Sequence, residues 1–497
     1  MKQEKHPWII IILCSTVLFL VNSTVFSFWG QINADEGWYL YASKLVYSGL
    51  LPYKDFAFTQ TPLLPYVYGL PQIFFPQSIY LGRITSIVFS TIAFILSITI
   101  AKKFGGKTAA TITALLGATF TYGIYYQSIV KTYSLTTFLF MLAFFVLPAK
   151  PQHTWKSILA VIFVLLASFT RLSAIFFATP VIVYAFISSN SRDRLIISAA
   201  CLFVLVYFLS FVLRNTDSAL WGLILHHSMQ WGDLTIMEQV SQILSFRIPA
   251  LIIVFLFYII LWGTLTLTSL KQAKNSTKPF WVLLTVTTGL LLFAIPNLIS
   301  GGFYTEYFVP FVFVSFPITG IVYAKTYPNQ GKYLKAFINL ALLFAIIFGF
   351  IRGGNSFIDT SSGSSPIEET RKVASHVSKN SDPNDQIFVL EALWLAVESN
   401  RQVLPNMTMA QFSYYDVETA KAKRLHLVNS QMIFDHIKTK TPKLVILTEI
   451  DWDILMSTSQ YENIQQALEE NYLLIYSQDN FGQHNDHIDI YVKNENK

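Results

Sequence analysis

The chain has 497 residues, of which 53% are hydrophobic, 15% aromatic and only 13% charged, and its mean hydropathy of +0.47 lies far above that of a water-soluble domain. This excludes a soluble globular enzyme and leaves a mainly α-helical, polytopic membrane protein. The net charge of +6 does not point to nucleic acid, because the cations fall in short loops between apolar runs, where they encode membrane orientation. Cys14 and Cys201 both lie inside apolar runs, so neither a disulfide framework nor a cysteine zinc site is available.

The N-terminus opens with MKQEKH, followed by an apolar core of about 20 residues ending at Trp29. No small-residue cleavage site follows, so it reads as a first transmembrane helix with Lys2 and Lys5 on the cytoplasmic side. Further apolar runs occupy residues 80–101, 108–123, 128–148, 157–187, 195–213, 248–270, 279–299, 306–324 and 333–351. The run at 157–187 is too long for one crossing: about 30 residues of helix would measure roughly 45 Å, against a hydrocarbon core of about 30 Å. Arg171 stands in its middle. Two short crossings keep the basic loops around Lys102, Lys103, Lys107, Lys150, Lys156, Arg192, Arg194, Lys271, Lys274, Lys278, Lys325, Lys332 and Lys335 on the N-terminal side, as the positive-inside rule requires. That gives eleven spans. The opposite, outer face then collects Asp35, Glu36, Asp55, Asp217, Asp233, Glu238 and Glu306, together with the two long loops, 30–79 and 214–247.

Residues 1–352 thus form the membrane domain. Residues 353–366, GGNSFIDTSSGSSP, read as a linker. Residues 367–497 alternate helical stretches (IEETRKVASHVSKN, YENIQQALEENY) with buried strands (DQIFVLE, KLVILTE) and end in a hairpin of LLIYSQ with HIDIYVK, predicting a small extracytoplasmic α/β domain.

The loop after the first span carries the chemistry. Asp35 is a good helix N-cap, Gly49 a good stop, and Trp38, Tyr41, Ala42 and Leu45 form one apolar stripe, so ADEGWYLYASKLVYSG predicts an amphipathic helix lying on the membrane surface. The Pro-punctuated stretch TPLLPYVYGLPQIFFP keeps the rest of the loop at the interface. In order, Asp35-Glu36, Tyr39, Ala42, Gly49, Pro52-Tyr53, Asp55-Phe56, Thr61-Pro62 and Arg83 resemble the first outer loop of polyprenyl-phosphate-sugar-dependent glycosyltransferases with the GT-C fold. These are the enzymes of glycosyltransferase family 39, protein O-mannosyltransferases and the lipid A aminoarabinose transferase among them. The resemblance extends to the span count, the GGFYTEYFVPF stretch and the outer α/β tail. Thr61-Pro62 stands where relatives often have paired prolines, and QSIVKTYSLTTF lacks the acid some relatives carry at that point.

The resemblance implies a GT-C bundle with interfacial helices in the first outer loop. It also implies transfer of a sugar, with inversion, from a polyprenyl phosphate to an acceptor hydroxyl or amine on a protein, lipid or glycan. An acceptor hydroxyl must lose its proton as it attacks, and Asp35 matches the catalytic carboxylate, with Glu36 adjoining it. A phosphate leaving group needs cations, for which Arg83, Lys131, Arg171 and Arg247 are candidates. Arg171 is the sharpest, since a cation between two apolar runs is costly unless partnered. Tyr39, Tyr53 and Asp55 in the first loop, His226 in the second, and Glu306 with Tyr307 before the tenth span are the expected substrate contacts. Adjacent His226 and His227 diverge by about 100° on a helix, which argues against a shared metal. The expectation is therefore a lipid-linked donor as co-substrate, with no metal or other cofactor. A flippase or transporter would instead carry internal repeats around a midplane site, and none is evident. A polysaccharide polymerase or ligase would differ in using a pyrophosphate-linked donor.

Overall fold

A computed structural model of the chain describes residues 7–148, 154–232, 234–272, 278–354, 357–358 and 364–495. Lys2, Lys5, Lys150, Lys274, Asp233 and half of the 353–366 linker lie outside the described residues.

The membrane part begins with α1 (Pro7–Trp29), α2 (Ala34–Tyr47), α3 (Leu63–Gly69) and α4 (Ile79–Thr119). It continues through α5 (Thr121–Ser128), α6 (Thr132–Val146), α7 (Thr154–Thr170), α8 (Ala174–Ile187) and α9 (Ser191–Val212). The short helices α10 (Thr216–Leu220), α11 (His226–Met229) and α12 (Ile236–Gln242) lead to α13 (Ile248–Gln272), α14 (Lys278–Ile299), α15 (Val309–Thr326) and α16 (Lys332–Gly354). Among the described residues seven helices are each long and apolar enough to cross a membrane, or up to eight if the bent pair α5–α6 is one span. Helix α4 is not straight. Gly106 takes φ 74°, ψ −162°, and a Cβ on Gly117 would lie 2.6 Å from the ring of Phe94, so the two arms fold against each other. Counting those arms and the shorter apolar helices α7 and α8 singly, the apolar segments among the described residues number eleven, one for each span expected from the sequence.

The run at 157–187 is indeed a hairpin. Helices α7 and α8 break at Arg171, and the Tyr184 hydroxyl donates to the carbonyl of Pro148, back at the entry to α7. At 1.5 Å per residue the two helices are about 25 and 21 Å long, short enough to leave Arg171 at one end of the bundle. The second long loop is shorter than predicted, because the helix beginning at Ile236 runs on as one apolar segment to Leu265.

The tail holds α17 (Pro366–Lys379), α18 (Trp394–Glu398) and one five-stranded sheet of order β2-β1-β3-β5-β4. Strands β1 (Gln386–Phe388), β2 (Gln402–Val403) and β3 (Leu444–Thr448) run parallel, and β4 (Tyr472–Phe481) with β5 (Asp486–Lys493) forms the predicted antiparallel hairpin. Strand β3, LVILT, is buried along its whole length, as a central strand covered on both faces must be.

The tail sits directly on α2, which corrects the expectation of a helix exposed on the membrane surface. Residues Glu36–Ser43 of α2 are all buried. The Val403 amide donates to Tyr41 Oη at 3.0 Å, Lys44 Nζ donates to the Arg401 carbonyl at 3.0 Å, and a Cβ on Gly37 would lie 2.7 Å from the Trp394 nitrogen. Glu398 reaches further and caps α4, accepting from the Ile79 amide at 2.6 Å. The stripe of Trp38 and Tyr41 is therefore one side of a helix that is buried nearly all round, its polar groups Glu36 and Lys44 being bonded within the protein.

Candidate functional site

Helix α2 starts one turn after α1 ends, and the capping falls to Asn33, not Asp35. The Asn33 side chain accepts from the Asp35 amide, and Glu36 accepts from the Asn33 amide at 3.1 Å, completing a capping box. Asp35 is thereby released. Its Oδ1 accepts from the Trp38 indole at 3.1 Å and its Oδ2 pairs with Lys131 Nζ at 3.0 Å. Lys131 is delivered by the break between α5 and α6, whose axes differ by 105°. The ammonium also pairs with Glu306 Oε1 at 3.3 Å and lies over the rings of Tyr126 and Tyr133.

Arg171, at the α7–α8 turn, is 8% exposed. It donates from Nη2 to Asn297 Oδ1 at 2.9 Å, from Nη1 to Thr132 Oγ1 at 3.2 Å and from Nε to Ser173 Oγ at 3.0 Å, and it stacks 4.4 Å from the centre of the Tyr307 ring. Every one of these partners is neutral. Among the described residues no carboxylate lies within 4.0 Å of this guanidinium, so its charge is held by dipoles and an aromatic face alone.

Asp35, Lys131, Arg171, Tyr39, His226, Glu306 and Tyr307 line one cavity of about 230 Å³. Burial and the neighbouring His227 push the His226 imidazole down to about 4, and burial likewise lowers His227, so both are neutral near pH 7. A second cavity of about 190 Å³ shares Thr59, Gln60, Arg171, His227 and Tyr307 with the first. Its remaining walls are largely apolar, with Leu172, Phe176, Leu223 and Pro296, and Leu172 and Phe176 lie exposed on the outside of the bundle. Arg171 thus stands at the junction of a polar chamber and an apolar side groove.

Five expected site residues are placed elsewhere. Glu36 and Arg83 are both fully buried and form an ion pair at 2.5 Å and 2.8 Å. Arg83 also binds the carbonyls of Ser27, Gly30 and Gln31 at the end of α1, while Glu36 accepts the Val130 amide at 3.1 Å. The pair therefore closes α1, α2, α4 and the 129–131 break together, and neither residue lines either of the two cavities described above. Arg247 is consumed by the carbonyls of Leu298 in the last turn of α14 and of Ser300 and Gly301 just beyond it, and stacks on Trp231. Tyr53 is buried at φ 65° with its hydroxyl on the Gln60 carbonyl, and Asp55 accepts from the Leu51 amide at 2.9 Å, so both shape the loop. Conversely, Gln60, Gln411, Phe412 and Gln483 line the cavity without any local pattern that marks them, and Trp38, expected only in an apolar stripe, lines it too. Asn297 was detectable, being an amide inside an apolar run. Among the described residues no group of three or more His, Cys, Asp and Glu could hold a metal ion.

No family profile and no curated sequence matches the chain. Solved structures do. The crystal structure of ArnT from Cupriavidus metallidurans bound to undecaprenyl phosphate superposes with a TM-score of 0.63 at 11% identity, covering 98% of each chain. The chain has the GT-C fold. The Archaeoglobus fulgidus oligosaccharyltransferase in complex with Zn and sulfate has a TM-score of 0.52 at 11% identity, covering 94% of this chain and 72% of that one. The archaeal oligosaccharyltransferase AglB from the same organism, in complex with an inhibitory peptide and a dolichol-phosphate, has a TM-score of 0.52 at 10% identity over 96% of this chain and 74% of that one. The match with ArnT includes the tail as well as the bundle.

Proposed function

We propose that the protein is an integral membrane glycosyltransferase that moves a sugar from a polyprenyl phosphate to an acceptor hydroxyl or amine, at the face where the tail and the 30–79 loop meet. The observation that carries this reading is Arg171. A buried guanidinium supported only by neutral groups is electrostatically incomplete, and a phosphate supplies the missing charge in a geometry that guanidinium matches. The apolar groove on one side of it suits a polyprenyl chain, and the polar chamber on the other, lined by Asp35, suits the reacting groups of donor and acceptor. Both solved neighbours named with a lipid phosphate, ArnT and AglB, share the fold.

Asp35 is the base in this proposal. Its orientation is fixed by the Trp38 indole and Lys131, and it takes the acceptor proton as the acceptor attacks the anomeric carbon. The anomeric C–O bond breaks on the opposite face, and the departing phosphate gains a negative charge. Lys131 and Arg171 meet that charge, so their contribution grows toward the transition state. A single displacement of this kind inverts the anomeric carbon. The role needs no metal, and none is proposed. Glu36 and Arg83 are structural in this account. The face carrying the site is assigned to the outside, with the N-terminus cytoplasmic, on the strength of the basic loops at the other end.

The test is transfer from labelled polyprenyl-phosphate sugars by the purified protein in lipid nanodiscs. Turnover that disappears in Asp35→Asn and loses donor affinity in Arg171→Ala supports the reading. Undiminished turnover in Asp35→Asn removes Asp35 as base, and unchanged donor affinity in Arg171→Ala removes the phosphate site.

A further inference from the structure

In the main cavity Asp35 and Glu306 are both paired with Lys131 and Arg171 rests on neutral groups, and much of the remaining lining is amide and aromatic. Gln60 from the first loop, Gln230 from the second, and Gln411 and Gln483 from the tail all reach it, beside Trp38 and Phe412. Besides Asn33, which is spent on capping α2, four glutamine amides from four separate chain segments converge here. Gln411 Oε1 is buried without a hydrogen-bond partner. Gln483 spends only its oxygen, accepting from the Ala34 amide at 2.7 Å, which leaves its NH₂ group over the start of α2, one residue from Asp35. Phe412 sets its ring edge-on to His226 at 5.2 Å, and Gln230 Nε2 lies 3.5 Å from His226 Nε2.

We infer that this amide and aromatic lining is the acceptor subsite, and that it takes a neutral, polyhydroxylated ring, making the acceptor nucleophile a hydroxyl of a glycan. Planar amides present a donor and an acceptor side by side, matching the vicinal hydroxyls of a sugar. Flat aromatic faces cover its apolar C–H surface. A cationic amine acceptor would call for a free carboxylate in this lining, whereas both of its carboxylates, Asp35 and Glu306, are paired with Lys131, and the one cation without a carboxylate partner, Arg171, is the group assigned to the donor phosphate. The neutrality of His226 and His227 extends the same character to the neighbouring wall. An unpartnered buried amide oxygen is costly, and a ligand hydroxyl donating to Gln411 Oε1 removes that cost. Because two of the four amides belong to the tail, the subsite exists only while the tail is seated on α2.

This inference rests on the glycosyltransferase reading but is tested apart from it. The full-length protein in nanodiscs, loaded with polyprenyl phosphate, is examined by saturation-transfer NMR against short neutral oligosaccharides, a matched amino-sugar series and a serine-containing peptide. The neutral saccharides are expected to give the signal, and Gln411→Leu and Phe412→Leu to weaken them by about tenfold each, the worth of one buried hydrogen bond or stacking contact. Polyprenyl-phosphate affinity, read in parallel by thermal shift, stays unchanged in both variants, which also reports that they are folded. A signal from the peptide or amino-sugar probes alone, or saccharide binding indifferent to Gln411→Leu, overturns the inference while leaving the donor site standing. Saccharide binding that persists and depends on Gln411, with no Arg171-dependent polyprenyl-phosphate binding, upholds the subsite and overturns the carrier reading instead.

Discussion

Asp35 and Glu36 are adjacent acids with opposite fates, and exchanging their side chains one at a time separates chemistry from architecture. Glu36→Ala strips the counter-charge from Arg83, which is 0% exposed and would keep only backbone carbonyls. Leaving one partner of a buried ion pair costs about 3–5 kcal/mol. Loss of the capping box on Asn33 and of the acceptor for Val130 adds about 1–2 kcal/mol more. Asp35→Asn is a different case. Asparagine retains an oxygen for the Trp38 indole, Lys131 keeps Glu306 at 3.3 Å, and the Asp35 side chain is 28% exposed, so the cost is about 1 kcal/mol or less. Loss of a positioned base nevertheless lowers transfer by about 10²–10⁴-fold. The assay is thermal unfolding followed by tryptophan fluorescence, paired with transfer measured per folded molecule. A Glu36→Ala protein as stable as the parent, or an Asp35→Asn protein that unfolds tens of degrees earlier, refutes the division of roles.

Further outcomes follow from the same geometry. Arg171→Ala is expected to weaken the donor about 100-fold without lowering stability, because the side chain it removes is a buried cation with no carboxylate partner; Arg171→Lys restores only part, lacking the planar fork. Donor KM against kcat reads this directly. Arg247→Ala should do the reverse, lowering the unfolding temperature by leaving the carbonyls of Leu298, Ser300 and Gly301 without a donor, with donor KM unmoved. In the tail, burial and the neighbouring Asp451 push the Glu391 carboxyl up to about 8. Between its ordinary value of 4.5 and about 8 the folded state keeps a proton the unfolded chain has lost, so stability falls as pH rises through that window, and Glu391→Gln should flatten the fall. His226 has the opposite sense: its folded value of about 4 lies below the ordinary 6.5, so the site loses stability as pH drops from 6.5 toward 4, and a melting curve taken at each pH registers it.

The succession of apolar helices was legible because hydropathy carries it directly; even the helical hairpin around Arg171 followed from charge. Asp35, Lys131 and Arg171 were legible for a related reason, since a charge set beside apolar runs is expensive and tends to be functional. By the same standard Glu36, Arg83 and Arg247 look alike in sequence. Only the structure separates them, because what distinguishes a structural ion pair from a substrate site is whether the partner is another side chain. The surface helix predicted at α2 failed because its polar side was read as solvated, when Lys44 and Tyr41 are bonded to the backbone of the tail. Gln411 and Gln483 gave no signal at all. Gln483 meets Ala34 across 449 residues of sequence, a contact set by how the tail seats on the bundle and by no local pattern.

The most direct measurement is the structure of the protein with polyprenyl phosphate bound, by cryo-electron microscopy in nanodiscs. The account predicts phosphate density within hydrogen-bond distance of Arg171 and Lys131, with the chain leaving past Leu172 and Phe176. Phosphate seated against Arg247, or on the far face of the bundle among Lys102, Lys103 and Lys325, would contradict it.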